Sequence, residues 1–323
     1  MTAQKIMKVT TIDSTTAVVV DSNPFNKATL QDWIEFCDVQ PCTLRTYNKA
    51  IENFLGYLKN NGIAQPTRED VISYREWLLA DGYKVSSARL YLTIVKKFFK
   101  WLSSKGLYLN VADEVKLPVD NSTEHAHDAL SLDEARQAIS SFKGTDEKSL
   151  RDKCIMALMI CCGLRSVEVC RLDIGDFEKR KGVWFVCVHG KARDGKVDTV
   201  QVSEQVKKMV DDYLSVRAGA KKGTPLFVST ANRNRGQRLE TQTVSRLAKK
   251  VFAEIGIVSK RVTCHSCRAT AITLMLKAGV PMREVQRVAR HRSATTTEIY
   301  AHDIDAFNNR GVKTLSNLLF SKE

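Results

Sequence analysis

The first third of the chain repeats its apolar residues in steps of three and four. Leu44, Tyr47, Ile51, Phe54, Leu55 and Leu58 share one face of a helix predicted over residues 43–59, which Asn61-Gly62 ends. Thr67, followed by Glu69 and Asp70, opens a second helix with acid at its positive end, and Asp81-Gly82 closes it. Ser86 or Ser87 caps a third, running to about Leu102. Its apolar face is Ala88, Tyr91, Leu92, Val95, Phe98, Phe99 and Leu102, and Arg89, Lys96 and Lys100 form a basic stripe on the opposite face. Residues 1–26 show no sustained periodicity and read as an arm, with a short strand at 17–20. Residues 118–129 are polar and aperiodic, as a linker would be. Ser131-Leu-Asp-Glu134 is a capping box that starts a second domain.

Beyond that point the pattern is mixed. Residues 154–164 are almost all apolar and predict a helix buried on nearly every side. Residues 183–189 and 197–202 alternate as strands, with 190–196 as the hairpin between them. A short apolar piece at 225–229 leads into a loop carrying Arg233, Arg235 and Arg238. Helical spacing resumes at 241–255, 264–278 and 283–289, and Val312, Leu315, Leu318, Leu319 and Phe320 give the tail a docking face. The expected fold is mainly α with a small antiparallel β-sheet. It comprises an arm (1–26), a helical domain (27–117), a linker (118–129) and a larger domain with a docking tail (130–323).

Composition narrows the function. The 323 residues are 43% apolar and 27% charged, which fits about two globular domains. The longest apolar run ends at Arg165 and is too short for a membrane span of about 20 residues. Nothing near the start resembles a secretory leader. Nine cysteines, mostly in apolar stretches, fit reduced thiols in a cytoplasm. The formal charge is +14, of which +3 falls in residues 1–117 and +11 in residues 118–323. Such an excess points to a polyanion, and without a basic membrane-binding run nucleic acid leads.

Three clusters carry candidate chemistry. Gly163-Leu164-Arg165 ends the apolar helix with a guanidinium that needs an anion, either Glu168 three residues on or a ligand phosphate. His265-Ser-Cys-Arg268 places a histidine and an arginine on one helical face, where both can meet one ligand; taken alone it reads more readily as a helix-terminal His beside a surface Arg. His291 is followed nine residues later by Tyr300, and His302 comes after that. Cys264-His265-Ser-Cys267 is a single C-x-x-C without a second pair, which argues against zinc. There is no P-loop and no G-x-S-x-G elbow.

Taken in order, these elements resemble the tyrosine site-specific recombinases, or phage-integrase family, including the Xer-type chromosome-dimer resolvases. The resemblance is carried by Gly163-Leu-Arg165-Ser-Val-Glu168-Val, by Lys191 between two strands, by His265-x-x-Arg268, and by His291 followed by Thr296-Thr297-Glu-Ile-Tyr300-x-His302. The helical region at 27–110 looks like the family's core-binding domain. Two departures stand out: Arg290 precedes His291 where the family usually has glycine, crowding the turn or adding a phosphate contact, and Ser266-Cys267 replaces the usual Asp-Leu.

The resemblance implies a two-domain clamp on duplex DNA and these roles. Tyr300 attacks a phosphodiester to give a 3′-phosphotyrosine. Arg165 and Arg268 clamp the non-bridging oxygens. Lys191, or Lys196 in the same hairpin, protonates the leaving 5′-hydroxyl. His265 moves a proton, His291 bonds the phosphate, and Glu168 supports the arginine. No metal or other cofactor is implied. The tail would pack on a neighbouring protomer, giving a homotetramer on two DNA sites with room for a partner recombinase. The first 26 residues are short for an arm-site domain. Arg89, Lys96, Lys100, Arg233, Arg235 and Arg238 are the candidate DNA contacts. The alternatives are a non-cleaving DNA-binding accessory protein and a type IB topoisomerase-like enzyme.

Overall fold

The computed structural model describes residues 23–119, 128–189, 197–307 and 310–320, without the side chains of 197, 302–313 and 318. The strand expected at 17–20, most of the linker, the hairpin with Lys191 and Lys196, and the side chains of His302, Val312 and Leu318 lie outside the described residues. The chain divides into two units, Met1–Ser122 and Thr123–Glu323. As expected, the fold is mainly helical with one small antiparallel sheet. Among the described residues no helix is long and apolar enough to cross a membrane.

Unit 1 contains α1 (Lys27–Phe36), α2 (Pro41–Asn60), α3 (Arg68–Ala80) and α4 (Val85–Ser104). Asn26 caps α1 by accepting from Thr29 N at 3.0 Å. Helix α3 opens at Thr67 as the pattern predicts, and the structure adds a reciprocal capping box between Thr67 and Asp70. Helix α4 starts at Val85 on a Lys84 cap without a side-chain bond, so neither Ser86 nor Ser87 caps it. The core is aromatic: Trp33, Phe54, Tyr74, Phe98 and Phe99 are all buried. Tyr74 Oη donates to Asn53 Oδ1 at 2.7 Å, which satisfies the phenol inside this core.

Part of the basic stripe is used internally. Lys96 Nζ donates to the carbonyls of Asp113 (2.6 Å) and Val115 (2.9 Å), and Arg89 Nη1 donates to that of Pro118 at 3.3 Å. Both cations tie α4 to the segment that follows it, because those carbonyls have no helix or sheet to satisfy them. Lys100 remains on the exposed surface.

Unit 2 is organised around α6 (Glu147–Cys161), packed against α5 (Leu132–Ser140), α8 (Glu204–Val216), α9 (Thr241–Glu254) and α10 (Cys264–Lys277). The Ser131–Glu134 capping box forms at α5. Helix α6 begins at Glu147 behind an Asp146 cap, well before the expected 154. The sequence hides this turn because Arg151 and Asp152 are buried within it. Arg151 donates through Nη2 to Asp152 Oδ1 at 2.6 Å and through Nη1 to Val228 O at 2.9 Å. Each charge is matched, so the core accepts a stretch that does not read as apolar. The strands at Val183–His189 (β2) and Val197–Val202 (β3) fall where expected, and β1 (Phe177–Arg180) precedes them, giving the antiparallel order β1-β2-β3. The piece at 225–229 makes only isolated bridges, Asp173 with Pro225 and Val228 with Arg238. Helices α7 (Ser166–Arg171), α11 (Met282–Ala289), α12 (Thr295–Phe307) and α13 (Arg310–Phe320) complete the unit. All nine cysteines are free thiols.

Buried and exposed polar contacts separate by magnitude. Asp152→Asn strands a buried guanidinium and is expected to cost about 3–5 kcal/mol. Thr67→Ala removes an exposed cap and is expected to cost about 1 kcal/mol. Thermal unfolding of the full chain checks the ranking, which equal losses would contradict.

Candidate active site

Arg165 owes its place to a break in the chain. Helix α6 ends at Cys161, and Gly163 follows at φ 59°, a left-handed conformation that glycine adopts without strain. The chain then re-enters a helix with Arg165 as the N-cap of α7, so the arginine opens a new helix instead of ending the buried one, as the sequence had indicated. Glu168, 1% exposed, closes the turn. It accepts from Arg165 N at 2.8 Å and from Arg165 Nη1 at 2.6 Å.

Arg268 arrives from α10 and is 6% exposed. The Thr263 hydroxyl caps that helix by accepting from His265 N at 3.2 Å, and Ser266 Oγ accepts from Thr263 N at 3.0 Å. Arg268 Nη1 donates to Gly163 O at 2.7 Å, whereas its buried Nη2 has no hydrogen-bond partner. A buried guanidinium N–H left over in this way is a donor awaiting an acceptor.

A third guanidinium joins them. Arg290, the C-cap of α11, donates through Nη2 to Glu168 Oε2 at 2.6 Å and to Gly163 O at 3.2 Å. Its Nη1 reaches Val288 O at 2.6 Å. Its backbone sits at φ 52°, ψ 41°, and the turn accommodates it. The sequence signal for this role was weak, since nothing in a His-preceding arginine says that it faces inward.

The charges act on one another. Burial, then the charges of Arg165 and Arg290, push the Arg268 guanidinium down to about 9. Burial works to raise the Glu168 carboxyl, but Arg290, then the Arg165 amide and guanidinium, hold it below the ordinary range. Three guanidinium groups around one carboxylate leave an excess of two positive charges, which favours an anionic ligand.

Tyr300 lies on α12 within that field. Burial raises its phenol, and the charges of Arg268 and then Arg165 oppose the rise without overcoming it. Its ring stacks on His291, with centroids 6.3 Å apart and planes 16° from parallel. The His291 Nδ1 and the Thr297 hydroxyl are hydrogen-bonded at 2.9 Å, and Thr297 is fully buried, so the imidazole orientation is fixed. His265 is exposed and lines a cleft of about 740 Å³ with Arg165, Lys249 and Lys260. Arg290 and His291 line a second cleft of about 650 Å³. Cys264 and Cys267 belong to the unit 2 core, whereas His265 does not.

The remaining candidates are dispersed. Arg238 donates to the carbonyls of Cys170 (3.1 Å) and Leu172 (3.2 Å) and pairs with Asp173 at 2.5 Å, so it braces the loop that it lies on. Arg233 and Arg235 are exposed.

Residues 129–306 match the phage integrase family, and residues 31–106 match the phage integrase N-terminal SAM-like domain. The chain is 30% identical over 260 residues to tyrosine recombinase XerA of Pyrococcus horikoshii, covering 80% of this chain and 82% of the relative. It is 29% identical over 275 residues to tyrosine recombinase XerC of Thermodesulfovibrio yellowstonii, covering 80% and 85%. In fold it is similar to XerH site-specific recombinase in a post-cleavage complex with palindromic difH substrate (TM-score 0.71, 16% identity, 90% and 84% covered). It is also similar to a lambda integrase dimer bound to a COC′ core site (TM-score 0.65, 17% identity, 84% and 93% covered). With a family match across more than half its length and a relative at 30% identity, this chain belongs to the phage integrase family of tyrosine recombinases.

Proposed function

We propose that this protein is a site-specific DNA recombinase that cleaves and rejoins duplex DNA through a 3′-phosphotyrosine intermediate. The observation that carries this reading is the buried Arg268 Nη2, which has no partner and belongs to a site with an excess of positive charge beside Tyr300.

The chemistry follows from those groups. Attack of the phenol oxygen on phosphorus forms the tyrosine ester and breaks the bond to the 5′-oxygen. Negative charge grows on the non-bridging oxygens in the transition state, and fixed guanidinium groups oppose it without reorganising. Arg268 and Arg165 take that role. An incoming phosphate would also give Arg268 the anion that it lacks. The phenol must lose its proton and the 5′-oxygen must gain one. His265, exposed at the start of α10, serves the first transfer. Lys191, or Lys196 as the alternative, is assigned the second by resemblance, and both lie outside the described residues. His291, oriented by Thr297, bonds the phosphate. One ester replaces another, so rejoining needs no ATP, and the reading assigns no cofactor.

The net charge of +11 beyond residue 117 supports a duplex DNA partner, and nine cysteines that are all free thiols fit a reducing cytoplasm. Leu315, Leu319 and Phe320 on α13 are 57%, 65% and 81% exposed. An uncovered apolar face of this kind supports docking of the tail on a neighbouring protomer, as in a homotetramer on two DNA sites or a complex with a partner recombinase. The biological role is then integration and excision of a mobile element or resolution of replicon dimers.

A nicked suicide duplex made from the DNA flanking the gene tests the reading. The wild-type chain is expected to form a covalent adduct, and Tyr300→Phe to form none while still binding; a bound but uncleaved wild-type complex would support an accessory DNA binder instead. Relaxation of supercoils without a recombinant product would favour a topoisomerase. Arg268→Lys keeps the charge but loses the fork, and is expected to slow single-turnover cleavage by about 10²–10³-fold. An unchanged rate would remove Arg268 from the reaction. Binding affinity is expected to fall by several orders of magnitude between 50 and 200 mM salt, on the order of 10³–10⁵ for a protein making 6–10 phosphate contacts. A salt-insensitive affinity would contradict phosphate-backbone binding.

A further inference from the structure

Arg290 takes an unusual backbone conformation for its side chain. Among the described residues only Lys181 and Arg290 hold a positive φ without being glycine. Lys181 is in an exposed turn. Arg290 instead has a side chain that is only 5% exposed, at a C-cap where glycine would sit without strain. A buried arginine in a conformation that favours glycine implies that the guanidinium is needed there.

Its contacts say for what. Arg290 and Arg268 share the Gly163 carbonyl, and Arg290 and Arg165 share the Glu168 carboxylate. We infer that Arg290 is a positioning residue of the reaction: it neutralises Glu168 so that the charge of Arg165 is left for the scissile phosphate, and it locks the turn before His291 onto the arginine loop. With Arg165 alone, the single negative charge of Glu168 would cancel the single positive charge beside it. With Arg290 present, the carboxylate is shared between two guanidinium groups, and the Arg165–Glu168–Arg290 set keeps one net positive charge for the phosphate. The same contacts tie the α11–α12 turn, which precedes Tyr300, to Gly163 and Glu168.

This inference rests on the recombinase reading, and two measurements keep their failures apart. The first is single-turnover cleavage of the nicked duplex. Arg290→Gly, which suits the backbone, is expected to lower the rate about 10–100-fold with DNA affinity nearly unchanged, and Arg290→Lys to recover part of the loss. Wild-type rates in both variants would overturn the inference, whereas a wild-type protein that binds without cleaving would instead overturn the recombinase reading.

The second measurement needs no DNA. The thermal midpoint of the wild type is compared with that of Arg290→Gly from pH 7 to pH 3. The groups around the pair are Arg165, Arg268, Cys162 and Tyr300 within the cluster, and Asp198, Arg283, Arg287, His291 and Arg292 around the cleft. The Glu168 carboxyl is held below its ordinary value in the wild type, so its stabilising pair exists above that value and is lost as pH falls through the lowered one. The advantage of the wild type over Arg290→Gly is therefore expected to be present at neutral pH and to shrink below about pH 4.5, in an Asp198→Asn background as well. An advantage that stays constant with pH would reduce Arg290 to packing and overturn the inference.

Discussion

The site depends on one buried carboxylate. Glu168 joins pieces of chain that are far apart in sequence: the start of α7 through Arg165, and the end of α11 through Arg290. The Gly163 carbonyl extends the network to α10 through Arg268. A lone ion in such a place would carry a desolvation cost of several kcal/mol. Here the carboxylate is overmatched, and the surplus positive charge makes the pocket receptive to an anion.

Charge is therefore used in two ways in this protein. Some cations are consumed by the fold. Arg151 is matched to Asp152, Arg238 is held by backbone carbonyls and Asp173, and Lys96 ties down the segment after α4. Others are left over where a phosphate would arrive, and Arg268 Nη2 is the clearest of them. Net charge counts both classes equally, which is why +14 indicates a polyanion without indicating where it binds.

The legible parts of the sequence were those fixed by local rules. The helix start at Thr67, the capping box at Ser131, the spacing of α2 and the alternation in β2 and β3 all depend on near neighbours, and the structure has them where the pattern places them. Strand β1 carries Glu178-Lys179-Arg180 and shows no apolar alternation, so only its pairing with β2 reveals it. Helix α8 carries the spacing in Val206, Val210 and Tyr213 behind a Ser203 cap, yet the expected elements do not include it. The residue types of the site were legible as an ordered set. The partition of roles among the arginines was not, because it depends on contacts such as Arg290 to Glu168 that span 122 positions. Likewise, an apolar run cannot reveal that Gly163 breaks the helix before Arg165.

The central claim is that a DNA phosphate completes this cluster within reach of Tyr300. The most direct measurement is a crystal structure of the Tyr300→Phe protein on a duplex that it selects from random sequence. The account expects one phosphate within about 3 Å of both Arg268 Nη2 and the Arg165 guanidinium, beside the residue 300 ring. A bound duplex whose phosphates all lie away from these two groups, with Arg268 Nη2 still unpartnered, would contradict it.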